Sequence, residues 1–139
     1  MLPKQIPHCT RRFHREHRSD NDKFILSKGH GVLGFYAALA EFGIIDESLL
    51  DTFLADGSDL IAHPVMKSDL GLEASSGSLG QGISMAVGLA LAAKKKGYSY
   101  QTYVLCGNGE CNEGYLSDTF IISSLKPSLC IWLLSIKRV

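Results

Sequence analysis

No two of the four cysteines, Cys9, Cys106, Cys111 and Cys130, form a CxxC pair, which excludes a zinc ribbon and a thioredoxin-type redox motif. Neither sign of charge is in excess, 14 Lys and Arg standing against 14 Asp and Glu; nothing overall attracts a polyanion, and no nucleic-acid partner is expected. No apolar run approaches the roughly 20 residues of a membrane helix. The C-terminal run Leu129 to Ile136 falls far short of that length and reads as a buried strand, and no membrane association is expected. The amino-terminal stretch lacks the apolar core of a secretory leader, because Ile6 and Phe13 stand alone among polar and basic residues. Unpaired cysteines and no leader together predict a reducing, cytoplasmic setting.

What is present is enough for one packed unit. A chain of 139 residues, 45% hydrophobic and 20% charged, fits a single domain with a core. Residues 1–22 carry Lys4, Arg11, Arg12, Arg15 and Arg18 without an apolar period, and are expected to be a flexible basic extension. His8, Cys9, His14 and His17 lie there too, but without regular ligand spacing or acidic second partners they read as a solvated tail and not a metal site. The folded domain is expected over 23–139.

Order begins near Phe24, and Val32, Leu33, Tyr36, Ala37, Leu39 and Ala40 recur at helical spacing before Gly43, predicting a core helix. Asp46 is a candidate cap for a short helix carrying Leu49, Leu50, Phe53 and Leu54, which Gly57 ends. From Gly57 to Gly77 the composition is that of a surface loop. Ser78 to Lys96, apolar between Ile83 and Ala93 and basic at Lys94, Lys95 and Lys96, predicts a buried helix with a cationic last turn. Thr102 to Cys106 and Leu129 to Leu134 predict strands, with room for a helix over Glu113 to Leu125. Strand, loop, helix, strand is a parallel crossover, so the fold class is α/β, a mainly parallel sheet flanked by helices on both faces.

Four local features carry chemistry. Gly107-Asn108-Gly109-Glu110-Cys111-Asn112-Glu113-Gly114 follows a strand and opens a helix, where backbone N–H groups can face a diphosphate. It is neither the GxGxxG of nicotinamide cofactors nor an ATP-binding P-loop; Asn108, Glu110, Asn112 and Glu113 offer hard oxygen ligands to Mg²⁺, and a plain glycine turn is the alternative. Ser75 to Gly82, glycine-rich, opens the buried helix; it reads equally as a ligand-facing turn or as a helix start packed tightly on a neighbour. Ser27-Lys28-Gly29-His30-Gly31 and His63-Pro64 add two imidazoles. A lone histidine is usually structural, but two beside glycine loops can bind a hydroxyl or move a proton near pH 7.

Taken in order, Phe24 to Gly31, His63-Pro64, Ser76 to Gly82 and Gly107 to Glu110 with Glu113-Gly114 resemble the transketolase family. They are similar to the separate N-terminal subunits of split bacterial transketolases, and the resemblance covers Phe24 to Gly114. It implies the thiamine-diphosphate-binding fold, here an incomplete diphosphate domain. It implies thiamine diphosphate and Mg²⁺ (or Ca²⁺) as cofactors, and transfer of a two-carbon ketol unit between sugar phosphates. His30 and His63 resemble the histidines at the cofactor's reactive end. Gly77 and Leu79 resemble the residues whose backbone faces the aminopyrimidine; Gly107, Gly109 and Glu110 fall at cofactor-binding positions. Asn108 stands at the metal position and Glu113 at the subunit interface. The implied partners are a homodimer mate and a C-terminal transketolase subunit.

The departures are specific. At position 108 the family's metal-binding aspartate is replaced by Asn, an oxygen ligand without the charge, and no Asn follows Asn112 to serve as the family's second metal ligand. Met1 to Asn21 and Tyr115 to Val139 do not resemble the family's sequence. Activity is therefore expected only with a partner subunit; the alternative is a truncated, non-catalytic remnant or interaction subunit that binds no cofactor.

Overall fold

The structure, a computed structural model, describes residues 21–112 and 131–136, with side chains as far as Glu110. The extension to residue 20 and the helix expected over Glu113 to Leu125 lie outside the described residues. Three strands, β1 (Lys23–Leu26), β2 (Thr102–Gly107) and β3 (Ile131–Ile136), form a sheet in the order β1-β2-β3. Both pairings are parallel, with Leu26 opposite Leu105 and Gly107 opposite Ile136. The α/β fold expected from the sequence is the one observed.

Alternation along the strands sends successive side chains to opposite faces, and each face has its own helix. Phe24, Leu26 and Leu105 pack with Val32, Tyr36 and Leu39 of α1 (Val32–Glu41). Ile25, Val104 and Cys106 pack with Ile83 and Ala86 of α2 (Gln81–Lys96). Both faces are thus covered, as a parallel sheet requires. At the start of β1, Asp22 is buried and accepts a 2.8 Å bond from Gln101 N, and Lys23 N donates to Gln101 O at 2.8 Å. Asp22, placed in the extension by its sequence, is therefore tied into the sheet.

In α1 the buried stripe is Val32, Tyr36 and Leu39, positions i, i+4 and i+7. Leu33 is 59% exposed, one residue and about 100° around the helix from that stripe; it is not the core residue the sequence suggested. Gly43 (φ +68°) ends this region, and Ile44 N returns to Leu39 O at 2.8 Å. The following short helix is a 3₁₀ turn, Glu47–Thr52, capped by Asp46, whose side chain accepts from Ser48 N at 2.8 Å. Leu54 points outward, 59% exposed at φ +61°. Gly97 (φ +70°) closes α2, with Tyr98 N donating to Ala93 O at 2.9 Å, the 6→1 bond of a Schellman end.

Candidate functional site

Parallel pairing puts the carboxyl ends of β1 and β2 at the same edge of the sheet, where ligands of open α/β sheets bind. Ser27 N and Lys28 N both donate to Leu105 O, at 3.0 and 3.3 Å, so the chain leaving β1 stays against β2 until Lys28. The Lys28 stem crosses Gly107: a Cβ on that glycine would sit 3.3 Å from Lys28 Cδ and 3.5 Å from Cγ. One cationic side chain is therefore anchored beside the loop Gly107-Asn108-Gly109.

The next turn, Gly29–Gly31, presents His30 to solvent. His30 and His63 meet edge to face, ring centroids 5.1 Å apart and planes at 70°. His63 is held by two glycines from separate segments. A Cβ on Gly29 would lie 2.2 Å from His63 Cδ2, and one on Gly77 (φ +156°) 3.4 Å from the same atom. Behind it, Ser76 N donates to Pro64 O at 3.0 Å, and Tyr36 Oη donates to Ile61 O at 3.1 Å. Burial raises the Tyr36 pKa above the ordinary tyrosine value, so it stays a neutral donor that ties α1 to the loop carrying His63.

The remaining link is Glu110. It is 1% exposed, and its carboxylate accepts from Ser27 Oγ (2.5 Å), Gly80 N (3.0 Å) and Gly107 N (2.7 Å). Those donors end β1, cap α2 and end β2. Placed at a cofactor-facing position by its motif, Glu110 instead turns both oxygens into the protein. Its motif marked the residue, but not its direction. An acid in the first turn after a strand is the only local signal, and its partners Ser27 and Gly80 are 83 and 30 residues away.

Gly77, Leu79, Asn108 and Gly109 are exposed, Leu79 by 51%, and a Cβ on Gly109 would meet nothing within 4 Å. The four sequence motifs are therefore brought together by two sets of contacts, His63 with His30, Gly29 and Gly77 and Glu110 with Ser27, Gly80 and Gly107. Glu113 lies outside the described residues. For a diphosphate the arrangement fits: exposed glycine backbone at a strand end, a helix start and a lysine stem side by side. For a divalent ion it does not, because Asn108 brings no charge, Glu110 faces inward, and no group of three or more His, Cys, Asp or Glu among the described residues is placed to hold one. A cleft of about 290 Å³ lined by Leu49, Thr52, Ser58, Asp59 and Leu60 shares no residue with these loops.

The family model for the transketolase thiamine diphosphate binding domain matches residues 8–127, which bears out the family but corrects the extent read from the sequence: the likeness runs past Phe24 to Gly114 on both sides, into stretches expected not to resemble the family. One of the subunits of the apulose-4-phosphate transketolase of Actinobacillus succinogenes is 48% identical over 95 residues, 68% of this chain and 34% of that protein. The 6-deoxy-6-sulfo-D-fructose transketolase subunit SqwG of a Clostridium species is 42% identical over 97 residues, 70% of this chain and 35% of that protein. Among solved structures, a transketolase from Campylobacter jejuni superposes with a TM-score of 0.76 at 28% identity, covering 93% of this chain and 22% of that one. The chain thus spans about a third of the length of these two subunit relatives.

Proposed function

The chain belongs to the transketolase family, within its thiamine diphosphate binding domain, and from that premise we propose that it is the cofactor-holding N-terminal part of a two-subunit transketolase. In this reading thiamine diphosphate lies with its diphosphate on Gly107-Asn108-Gly109, and a C-terminal subunit completes each site within a dimer. The reaction is transfer of a two-carbon ketol unit between sugar phosphates, in the cytoplasm. The supporting observation is the convergence of four sequence-distant motifs at one sheet edge, through His63 and Glu110.

Each residue then has a stated task. Backbone amides at Asn108 and Gly109 bind phosphate oxygens, the Gly107 amide being held by Glu110, and Lys28 offsets their charge. The exposed backbone at Gly77 and Leu79 faces the aminopyrimidine. His30 and His63 bind donor hydroxyls and move a proton at their ring nitrogens. Thiamine diphosphate, when bound, supplies stabilisation of a carbanion, chemistry that no side chain offers. No step is assigned to Mg²⁺ or Ca²⁺, since the described residues do not complete a site for either.

The neutral Asn108 and the inward Glu110 favour a second reading, a remnant or interaction subunit that binds no cofactor. Calorimetry separates the two. Thiamine diphosphate is titrated into the chain alone and into the chain mixed with a C-terminal transketolase subunit, each with Mg²⁺ and with EDTA. Saturable heat in any of the four supports cofactor binding; none in all four leaves the second reading standing.

A further inference from the structure

We propose that Glu110 is a positioning residue: a buried carboxylate that fixes the spacing of the two glycine loops between which the diphosphate lies, without touching it. This rests on the cofactor reading above. A carboxylate has about four acceptor sites, and three are filled by protein donors: Oε1 takes Ser27 Oγ and Gly80 N, and Oε2 takes Gly107 N. Among the described residues no cation pairs with Glu110. Its charge is compensated by those donors and by the start of the 16-residue helix α2, whose partial positive end favours an anion.

The tie is placed where the site needs rigidity. Gly80 adopts φ +81° as the cap of α2, and Gly77, three residues earlier, packs on His63. Gly107 immediately precedes the exposed pair Asn108-Gly109. With both loops bonded to one carboxylate, the backbone amides facing a ligand are fixed before it arrives, which lowers the ordering cost of binding. Glutamine cannot replace it: an amide keeps one accepting oxygen and turns an NH₂ group toward N–H donors on the other side.

Two variants of the full chain test the tie, Glu110→Gln and Ser27→Ala, the second removing one bond with little risk to folding. Hydrogen exchange by NMR reads the amides. In Glu110→Gln, Gly80 and Gly107 exchange faster by about 10- to 100-fold, the equivalent of losing a charge-assisted bond, while Gly97 at the far end of α2 is unchanged. Ser27→Ala shifts the same two amides in the same direction by less. Calorimetry with inorganic pyrophosphate and with thiamine diphosphate should then show a similar fold loss in Mg²⁺ and in EDTA, and the double variant should be no worse than Glu110→Gln alone.

Unchanged exchange at Gly80 and Gly107 in both variants overturns the tie. A loss of affinity seen only with Mg²⁺ also overturns it, since Glu110 would then be acting as a metal ligand. If the wild type binds neither ligand under any condition while the amides respond as described, the cofactor reading fails and the loop tie stands.

Discussion

Three residues test the site one atom at a time. A Cβ on Gly82 would lie 2.5 Å from both Ser27 Cβ and Oγ and 2.8 Å from its Cα, so the first turn of α2 approaches the end of β1 too closely for alanine. Gly82→Ala should cost about 1–3 kcal/mol as an overpacking change, read as a lower urea midpoint at constant m-value; an unshifted midpoint would contradict the packing. Asn108→Asp restores a charge to a loop whose other carboxylate is committed inward. It should tighten Mg²⁺-dependent thiamine diphosphate binding by less than about tenfold, ~1.4 kcal/mol, and tight metal-dependent binding would show that the missing ligand is supplied elsewhere. His63→Ala should lower donor turnover in a reconstituted complex with cofactor affinity little changed; lost affinity would reassign its role. The glycines here were legible in sequence because the demand for no side chain is written in residue identity. The direction of Glu110 was not, because burial of an acid is decided by donors that only tertiary folding brings near.

At the level of elements, α1 and α2 could be read from their apolar spacing, and β2 and β3 from short apolar runs closed by turns. β1 could not: Lys23-Phe24-Ile25-Leu26 is too short for alternation to show, and it is a strand because β2 supplies its hydrogen bonds. The link between α1 and the His63 loop was equally invisible, since Tyr36 reads as one more apolar position. Its hydroxyl, donating to Ile61 O, gives a pH-dependent signature. Burial raises its pKa above 10.0. Between the unfolded value of about 10 and the raised folded value, the unfolded chain has released a proton that the folded chain keeps. Stability is therefore fully present below about pH 10 and falls as pH climbs through that window. Tyr36→Phe should cost about 1 kcal/mol at pH 7 from the lost bond, yet decline less steeply above pH 10. Urea midpoints that stay equally far apart at pH 7 and above pH 10 would refute the link.

For the molecule as a whole, the chain spans about a third of the length of the two subunit relatives, and its surface bears on what would cover the proposed site. Val65 (54%) and Met66 (62%) follow the His63-Pro64 pair, and Leu79 (51%) follows Gly77, so three exposed apolar side chains rim the proposed cofactor site on two loops. The relatives from Actinobacillus succinogenes and Clostridium are each named as one subunit of a transketolase, and a C-terminal subunit is the occupant proposed for this rim. Burying these side chains on a partner while leaving them exposed in the free chain stabilises the folded state by mass action. With partner at about 100 times its Kd the gain is about 2.7 kcal/mol, or roughly 10 °C in Tm for a domain of this size. Met66→Ser with Leu79→Ser should abolish most of that rise while leaving the Tm of the free chain nearly unchanged, because neither side chain contributes to the core. A partner-induced rise that survives both substitutions would place the interface on another face, and the proposed two-subunit site at the ends of β1 and β2 would lose its support.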